Sequence, residues 1–174
     1  MDRVEFSSHK ILIVGGKTHS VQLLRSVLGI AGVTRLIQVE DSARAMELLA
    51  TEHFSAVFAS QDVAPVDGMT FAVAARRKDG ILNPMIPIFA LQERARRRDV
   101  EHARDAGVTD VLTTPLSPQT IMTKLRVAFH TPRAFIVATE FFGPDRRGAG
   151  RAAWFGADRR TRTARKGKVD FTQI

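Results

Sequence analysis

The 174-residue chain contains no cysteine, and none of its apolar runs approaches the roughly 20 residues that a membrane span requires. Without cysteine, the chain has no disulfides, thiolate zinc sites or cysteine nucleophiles, which fits an intracellular protein. The first ten residues carry both charge signs and no apolar stretch, so they do not resemble a signal peptide. We therefore expect a cytoplasmic protein with no membrane segment.

Net charge is small in residues 1–130, and most of the positive excess lies in residues 131–174. Residues 131–174 hold 10 basic and 4 acidic residues, whereas residues 1–130 hold 16 and 14. The hydrophobic fraction of 44% is enough for a buried core in the nearly neutral part. The basic C-terminal part predicts an acidic partner, with nucleic acid, an anionic protein face and a nucleotide as open alternatives.

Short apolar runs alternate with helical patterns through most of the chain. The predicted strands are Lys10–Val14, Arg35–Val39, Ala56–Ala59, Ile86–Leu91 and Asp110–Thr113. The predicted helices begin after Thr18 or Ser20 and after Asp41 or Ser42, and then span Met69–Arg77, Glu93–Ala106 and Ser117–His130. Such alternation specifies a doubly wound α/β fold, a five-stranded parallel sheet with helices on both faces. Its functional crevice lies at the carboxyl ends of the strands.

This pattern divides the chain into a leader (1–8), an α/β domain (9–130) and a basic C-terminal docking tail (131–174). The domain contains the runs ILIV, IPIFAL and AGVTDVLTTP, and a polar turn that follows its third strand and ends at Asp67-Gly68. Together these features resemble the CheY-like receiver family of bacterial response regulators. The resemblance implies a flavodoxin-like fold and a place in two-component signal transduction or a phosphorelay.

The resemblance also shows which residues of the family's chemistry are missing. Anchored on Asp67-Gly68, the family pattern places the phosphate-accepting aspartate at Ser60. Gly15 and Gly16 stand at the positions of the family's metal-binding acidic pair, and Ser60 stands at that of the acceptor. Gln92 stands at the switch position and Thr114 at the lysine position. Mg²⁺ is usually held by carboxylate oxygens, and serine is a weak nucleophile without an adjacent base. We interpret the chain as a degenerate pseudo-receiver with no catalytic residue, metal or cofactor, a binding module rather than an enzyme. Asp62 is the alternative acceptor.

The segment from Gly15 to Thr18 ends like a phosphate-binding loop, since it follows a strand and opens a helix. The full motif needs a glycine where Ile11 stands, so a nucleotide hydrolase is not expected. Two interpretations remain: glycines that fill the space of a lost acidic pocket, or a weak anion site at backbone N–H groups and Lys17.

The start of the fourth helix is strongly basic. Its candidate partner-binding residues are Arg94, Arg96, Arg97 and Arg98. In receivers, the face to which this helix belongs usually binds partners or forms homodimers. The alternative is a solvated helix with local ion pairs such as Arg97 to Glu101.

The tail carries the pattern Phe-Gly-x-Asp-Arg-Arg twice, 13 residues apart. The candidate partner-binding residues in it are Phe142, Arg146, Arg147, Trp154, Phe155, Arg159 and Arg160. The pattern resembles the tails of some single-domain receivers of alphaproteobacteria. We favour a tail that docks on a partner over a disordered basic tail, because low-complexity tails rarely carry so many aromatic residues. Whether Phe135–Val137 pairs with a sheet edge or swaps into a homodimer is left open.

The sequence thus predicts a phosphorylation-independent adaptor that binds a signalling protein through the fourth-helix face and the tail. Three alternatives remain. The first is an effector whose tail arginines clamp a phosphate-containing ligand such as a cyclic dinucleotide. The second is a nucleic-acid-binding protein with strongly salt-dependent affinity. The third is a true receiver that uses Asp62.

Overall fold

The structure of the protein is a computed structural model that describes residues 6–94 and 96–146. The strands of its main sheet are β1 (Lys10–Val14), β2 (Arg35–Val39), β3 (Ala56–Ser60), β4 (Ile88–Gln92) and β5 (Asp110–Thr113). The helices are α1 (His19–Ile30), α2 (Ser42–Thr51), α3 (Gly68–Arg77), α4 (Arg97–Asp105) and α5 (Pro118–His130). Two further strands follow, β6 (Phe135–Val137) and β7 (Phe142–Pro144).

All four pairings within the main sheet are parallel, in the order β2-β1-β3-β4-β5. Successive residues of β1 point to opposite faces, so Leu12 lies in one buried cluster and Ile13 in the other. Side chains of α2, α3 and α4 join the first cluster, and side chains of α1 and α5 join the second. This confirms the predicted doubly wound α/β fold.

Local side chains set where the helices begin. Thr18 and Ser117 accept hydrogen bonds from backbone N–H groups at the starts of α1 and α5, and Asp41 does so for α2. The fourth helix was predicted from Glu93 but begins at Arg97. The carboxylate of Asp99 accepts a hydrogen bond from the N–H of Arg96 at 2.8 Å, which fixes the helix start there.

The fourth strand also differs from its prediction, since it starts at Ile88 rather than Ile86 and extends to Gln92. Pro87 cannot donate a ladder hydrogen bond, and the register with β3 begins where Val57 faces Ile88. The shift places Gln92, the last residue of β4, opposite Thr113 of β5.

The described part of the predicted tail, residues 131–146, continues from α5 into a hairpin. In this hairpin β6 pairs antiparallel with β7, with Ile136 opposite Gly143, and neither strand joins the main sheet. The rings of Phe135 and Phe142 pack edge to face with centroids 6.2 Å apart. Pairing of Phe135–Val137 with an edge of the main sheet is therefore not what the structure shows.

Candidate functional site

The parallel strands bring the predicted site positions to one edge of the sheet. Gly15 follows β1, Ser60 ends β3, Gln92 ends β4 and Thr114 follows β5. A Cβ added to Gly15 would lie 2.9 Å from the Cβ of Ser60, a contact too close to persist without movement. The positions that the sequence singled out therefore lie at the same edge of the sheet, which we call the crevice.

No carboxylate lies at the end of β1 where the family holds its metal. The carbonyl of Gly15 accepts a hydrogen bond from the side-chain amide of Gln38 at 3.0 Å, and its N–H donates to Val39. Asp41 is used as the cap of α2. Within residues 6–94 and 96–146, no group of three histidine or acidic side chains is placed to hold a metal ion. The donors present here do not fit Mg²⁺, which prefers carboxylate oxygens.

The Asp67-Gly68 turn has a structural role. The carboxylate of Asp67 accepts hydrogen bonds from the N–H groups of Met69 and Thr70 at 2.8 and 3.0 Å, and from the hydroxyl of Thr70. These bonds lower the pKa of Asp67 below its usual value, and the bond from the Thr70 N–H has the largest effect. A Cβ at Gly68 would lie 2.4 Å from the carbonyl oxygen of Ser60, so only glycine fits there. The motif that identified the turn is explained by capping and packing.

The loop between β3 and α3 is fastened at several points. The hydroxyl and N–H of Ser42 both donate to the carbonyl of Ala64, at 2.9 and 2.8 Å. The N–H of Gln61 donates to Leu91 on the neighbouring strand. Asp62, the alternative acceptor, is exposed in this loop, whereas Ser60 is half-buried.

At the other side of the crevice, Thr114 holds two neighbouring loops together. The hydroxyl of Thr114 donates to the carbonyl of Glu93 at 2.5 Å, and its N–H donates to Gln92. The side chain of Gln92 is buried, and its amide oxygen accepts no hydrogen bond from any residue of the described ranges. Thr114 therefore ties the loop after β4 to the loop after β5, without the cation that a lysine would supply.

The glycine segment after β1 has one hydroxyl in use and open space beside it. The hydroxyl of Thr18 accepts the N–H of Val21 as the cap of α1, so it is already used. A Cβ at Gly16 would meet no atom within 4 Å, so the space beside Gly16 is open. Lys17 is exposed next to it.

The basic residues at the start of α4 are all exposed. Arg97 pairs with Glu101 at 3.0 Å, one turn along the helix, and Arg98 lies 3.7 Å from Asp99. Arg94 and Arg96 are exposed before the helix. The predicted ion pair is present, and exposed pairs of this kind stabilise a helix by only about 0.5 kcal/mol.

Arg76 is a residue that the sequence reasoning missed. It is 2% exposed and donates to the carbonyls of Gly107, Pro84 and Ile86, at 3.1, 2.7 and 2.6 Å. Burial lowers the pKa of its guanidinium to about 9. The signal was available: Arg76 lies seven residues after the buried Met69, on the apolar side of the helix.

The hairpin 135–144 lies against this arginine. We call Arg76, Gly107 and Val108 the hairpin seat. The ring of Phe135 lies over the guanidinium of Arg76, with 5.1 Å between the ring centroid and the guanidinium carbon. Arg146 donates a hydrogen bond to the carbonyl of Val108. Burial, and then the positive charges of Arg104 and Arg133, lower the pKa of Arg146.

The predicted partner-binding residues of the tail therefore divide into two groups. Phe142 and Arg146 are half-buried and contact the chain's own domain. Those outside the described residues are Arg147, Trp154, Phe155, Arg159 and Arg160.

No helix in residues 6–94 and 96–146 combines the length and apolar character that crossing a membrane demands.

Comparisons with known proteins agree with this architecture. Similar structures include a putative response regulator from Chloroflexus aurantiacus, at 22% identity over 68% of this chain and 94% of that one, with a TM-score of 0.62. The receiver domain of a Pseudomonas aeruginosa sensor histidine kinase, which holds magnesium in its active-site cleft, shares 22% identity over 68% and 94%, with a TM-score of 0.60. A chemotaxis response regulator of Vibrio cholerae shares 21% over 68% and 96%, with a TM-score of 0.59. Identities this low establish the fold alone.

No curated protein matches the chain in sequence. The model of one family, the response regulator receiver domain, matches residues 11–126. Since this match spans well over half of the chain, the protein belongs to the response regulator receiver domain family.

Proposed function

We propose that this protein is a phosphorylation-independent receiver that acts as an adaptor or regulator in two-component signalling. The proposal rests on how closely the backbone of Gly15 approaches Ser60, since a Cβ added to Gly15 would lie 2.9 Å from the Cβ of Ser60. The first glycine stands where the family carries a metal-binding acid, and a side chain there would collide with Ser60. The phosphoryl chemistry has thus lost both the groups that perform it and part of the space that they occupied.

Phosphoryl transfer needs compensation for the charge on the transferring group, which receivers obtain from a metal ion and a lysine. The crevice of this chain offers glycine backbone, a hydroxyl and an amide instead, from Gly15, Ser60 and Gln92. Thr114, at the position of the lysine, uses its hydroxyl to hold the carbonyl of Glu93. The proposal therefore describes a binding module and not an enzyme.

The surfaces that remain for a protein partner are the exposed arginines at the start of α4 and the part of the tail beyond Arg146. Among the described residues, the guanidinium groups of Arg94 and Arg96 form no ion pair, and the ion pairs of Arg97 and Arg98 are exposed. Exposed pairs exchange readily with charges of a partner, since each contributes little to stability. We expect this surface to bind an acidic protein face.

A first experiment tests the loss of phosphorylation. The full chain is incubated with acetyl phosphate and Mg²⁺ beside an active receiver as positive control, and intact mass is measured. We expect the positive control, and not this protein, to gain a phosphoryl group. Labelling that disappears in Asp62→Asn would show a true receiver with a displaced acceptor and would reject the proposal.

A second experiment tests the adaptor role. The full chain and a quadruple variant with Arg94, Arg96, Arg97 and Arg98 changed to alanine are used to capture partners from native lysate, at low and moderate salt. We expect a discrete protein that survives moderate salt and is lost with the variant. Recovery of nucleic acid alone, released as salt rises, would place the protein in the nucleic-acid class instead.

The remaining alternative, a cyclic dinucleotide or another phosphate ligand clamped by tail arginines, requires Arg146 among others. That guanidinium is half-buried and hydrogen-bonded to Val108, so binding such a ligand would first require the hairpin to leave its seat. A fluorescent cyclic dinucleotide that binds the full chain at micromolar concentration would favour this alternative.

A further inference from the structure

Part of the contact between the hairpin and its seat is a close approach of two backbone segments. A Cβ added to Gly107 would lie 2.2 Å from the carbonyl oxygen of Phe142, and one added to Gly143 would lie 2.7 Å from the Cα of Gly107. Both glycines are therefore needed for the two segments to approach. Gly107 also has φ of +78°, a conformation that favours glycine in its own right.

The other interactions at the seat also use few side chains of the hairpin. Arg146 donates to the carbonyl of Val108, and the ring of Phe135 lies over the guanidinium of Arg76. Within the hairpin itself, the N–H of Asp145 donates to the carbonyl of Ala134 at 2.7 Å. Docking thus requires a glycine that permits close approach, here Gly143. It also requires the aromatic residue before that glycine, Phe142, and the arginine three residues after it, Arg146.

The chain carries a second segment that meets these requirements. Trp154–Arg160 matches Phe141–Arg147 position by position: two aromatic residues, glycine, a variable residue, aspartate and two arginines. The variable residue is Pro144 in the first copy and Ala157 in the second. The match does not extend upstream, because Gly148, Ala149 and Gly150 stand where β6 stands in the first copy. The second copy therefore repeats the sequence of the docking half, whereas the residues that precede it are not β-prone.

We propose that Trp154–Arg160 is an alternative occupant of the hairpin seat within the same chain, pairing with β6 when the first copy leaves. The exchange would free Phe142 and the arginines after it for a partner, so it deepens the proposed adaptor function and rests on it.

Chain connectivity favours the first copy but allows the second. Four residues separate Val137 from Phe142, whereas 17 separate Val137 from Phe155. Closing the longer connection is less probable by a factor of roughly nine, so the first copy is the major occupant of the seat. A tether of this length still holds the second copy at an effective concentration on the order of millimolar, which favours the same chain over another molecule.

Trp154 is the sole tryptophan and lies in the second copy, so its fluorescence reports on the exchange directly. The test variant is Gly143→Val, because a side chain at this position collides with Gly107 and with the ring of Phe141 and displaces the first copy. We expect the emission of Trp154 to shift to the blue and acrylamide quenching to fall relative to the unmodified chain. The shift is expected to be independent of protein concentration.

The matched control is the double variant Gly143→Val with Gly156→Val, in which neither copy can approach Gly107. Its emission is expected to return to the longer wavelength, while far-UV circular dichroism confirms that the domain is folded. If Gly143→Val does not fold, Arg146→Ala, which removes only the bond to Val108, is measured in the same way.

Three results would overturn the proposal. The first is emission that is unchanged between the unmodified chain and Gly143→Val. The second is a blue shift that persists in the double variant. The third is a blue shift that grows with protein concentration, which would place the second copy on another molecule. The measurement uses neither a phosphodonor nor a partner. It can therefore fail while the proposed function stands, and the labelling and capture experiments can fail while the exchange is observed.

Discussion

The crevice at the carboxyl ends of the strands and the hairpin seat each depend on a glycine that allows two backbone segments to approach. They differ in the sign and burial of the charged group beside it. In the crevice, Gly68 allows the turn to lie close to the carbonyl of Ser60, and the exposed carboxylate of Asp67 caps α3. At the seat, Gly107 allows a distant segment to approach, and the buried guanidinium of Arg76 joins three backbone carbonyls. The Asp67-Gly68 turn thus has a structural role that does not depend on phosphoryl chemistry, and the buried charge of the described residues lies at the seat.

The largest expected effect comes from breaking the seat with Arg76→Ala. Three carbonyls would lose a charged donor in a buried site, and hydrogen bonds to charged groups contribute about 1.5 to 3 kcal/mol each. We expect a loss of about 3 to 4 kcal/mol in the free energy of unfolding, measured by urea denaturation.

The neighbouring Arg77 provides the matched control, since it is exposed and donates to the carbonyl of Thr139 at 2.9 Å. Arg77→Ala should cost no more than about 0.5 kcal/mol. Equal effects of the two substitutions would show that Arg76 does not organise the seat.

A smaller effect is expected from Gly68→Ala in the crevice. The added methyl would lie 2.4 Å from the carbonyl oxygen of Ser60, and overpacking of this kind costs about 1 to 3 kcal/mol. Gly16→Ala, where the methyl meets nothing within 4 Å, should be neutral or slightly stabilising. Urea denaturation of both variants measures the difference, and a harmless Gly68→Ala would contradict the packing role of the turn.

The smallest effect is expected from the cap at Asp67. Asp67→Ala should cost about 1 kcal/mol, whereas Asp67→Asn, which retains an acceptor, should cost less. The pKa of Asp67 is lowered in the folded state below the ordinary value of 3.8. Its charge-dependent contribution is therefore complete above pH 3.8 and is lost as the pH falls through the folded pKa.

Thermal unfolding of the unmodified chain and Asp67→Asn between pH 2.5 and 6, a range set by that pKa, tests this dependence. The two melting temperatures should converge as the pH falls below 3.8. A constant difference across the range would show that the carboxylate charge adds nothing to the cap.

Most of the fold could be predicted from the sequence because its signals are local. Apolar runs and capping residues placed β1, β2 and β5 at their observed bounds, and Ser117-Pro118 marked the start of α5. The start of α4 was missed because Glu93, Arg94 and Ala95, all residue types of high helix propensity, precede Arg96, whose N–H donates to Asp99. Propensity gives no information on which backbone N–H a carboxylate will bind.

The candidate site was predictable to a similar extent. The resemblance aligned Gly15, Ser60 and Thr114 along the chain, and strand topology brought them to one edge. The seat was not predicted, because the contact of Gly107 with Gly143 and the bond from Arg146 to Val108 join segments 36 and 38 residues apart. No local pattern encodes such a pairing, although a charged residue on the apolar side of α3 was a usable signal.

The most direct test of the central claim is a titration of the uniformly ¹⁵N-labelled full chain with Mg²⁺ and then with beryllofluoride, a mimic of the phosphoryl group, followed by amide NMR. Ionic strength is matched with NaCl. The account predicts that the amides of Gly15, Gly16 and Ser60 do not shift beyond the salt control, because two glycines and Thr114 occupy the positions of the family's acidic pair and lysine. Saturable shifts at these three amides would contradict it and show a crevice that still binds the metal and the phosphoryl group.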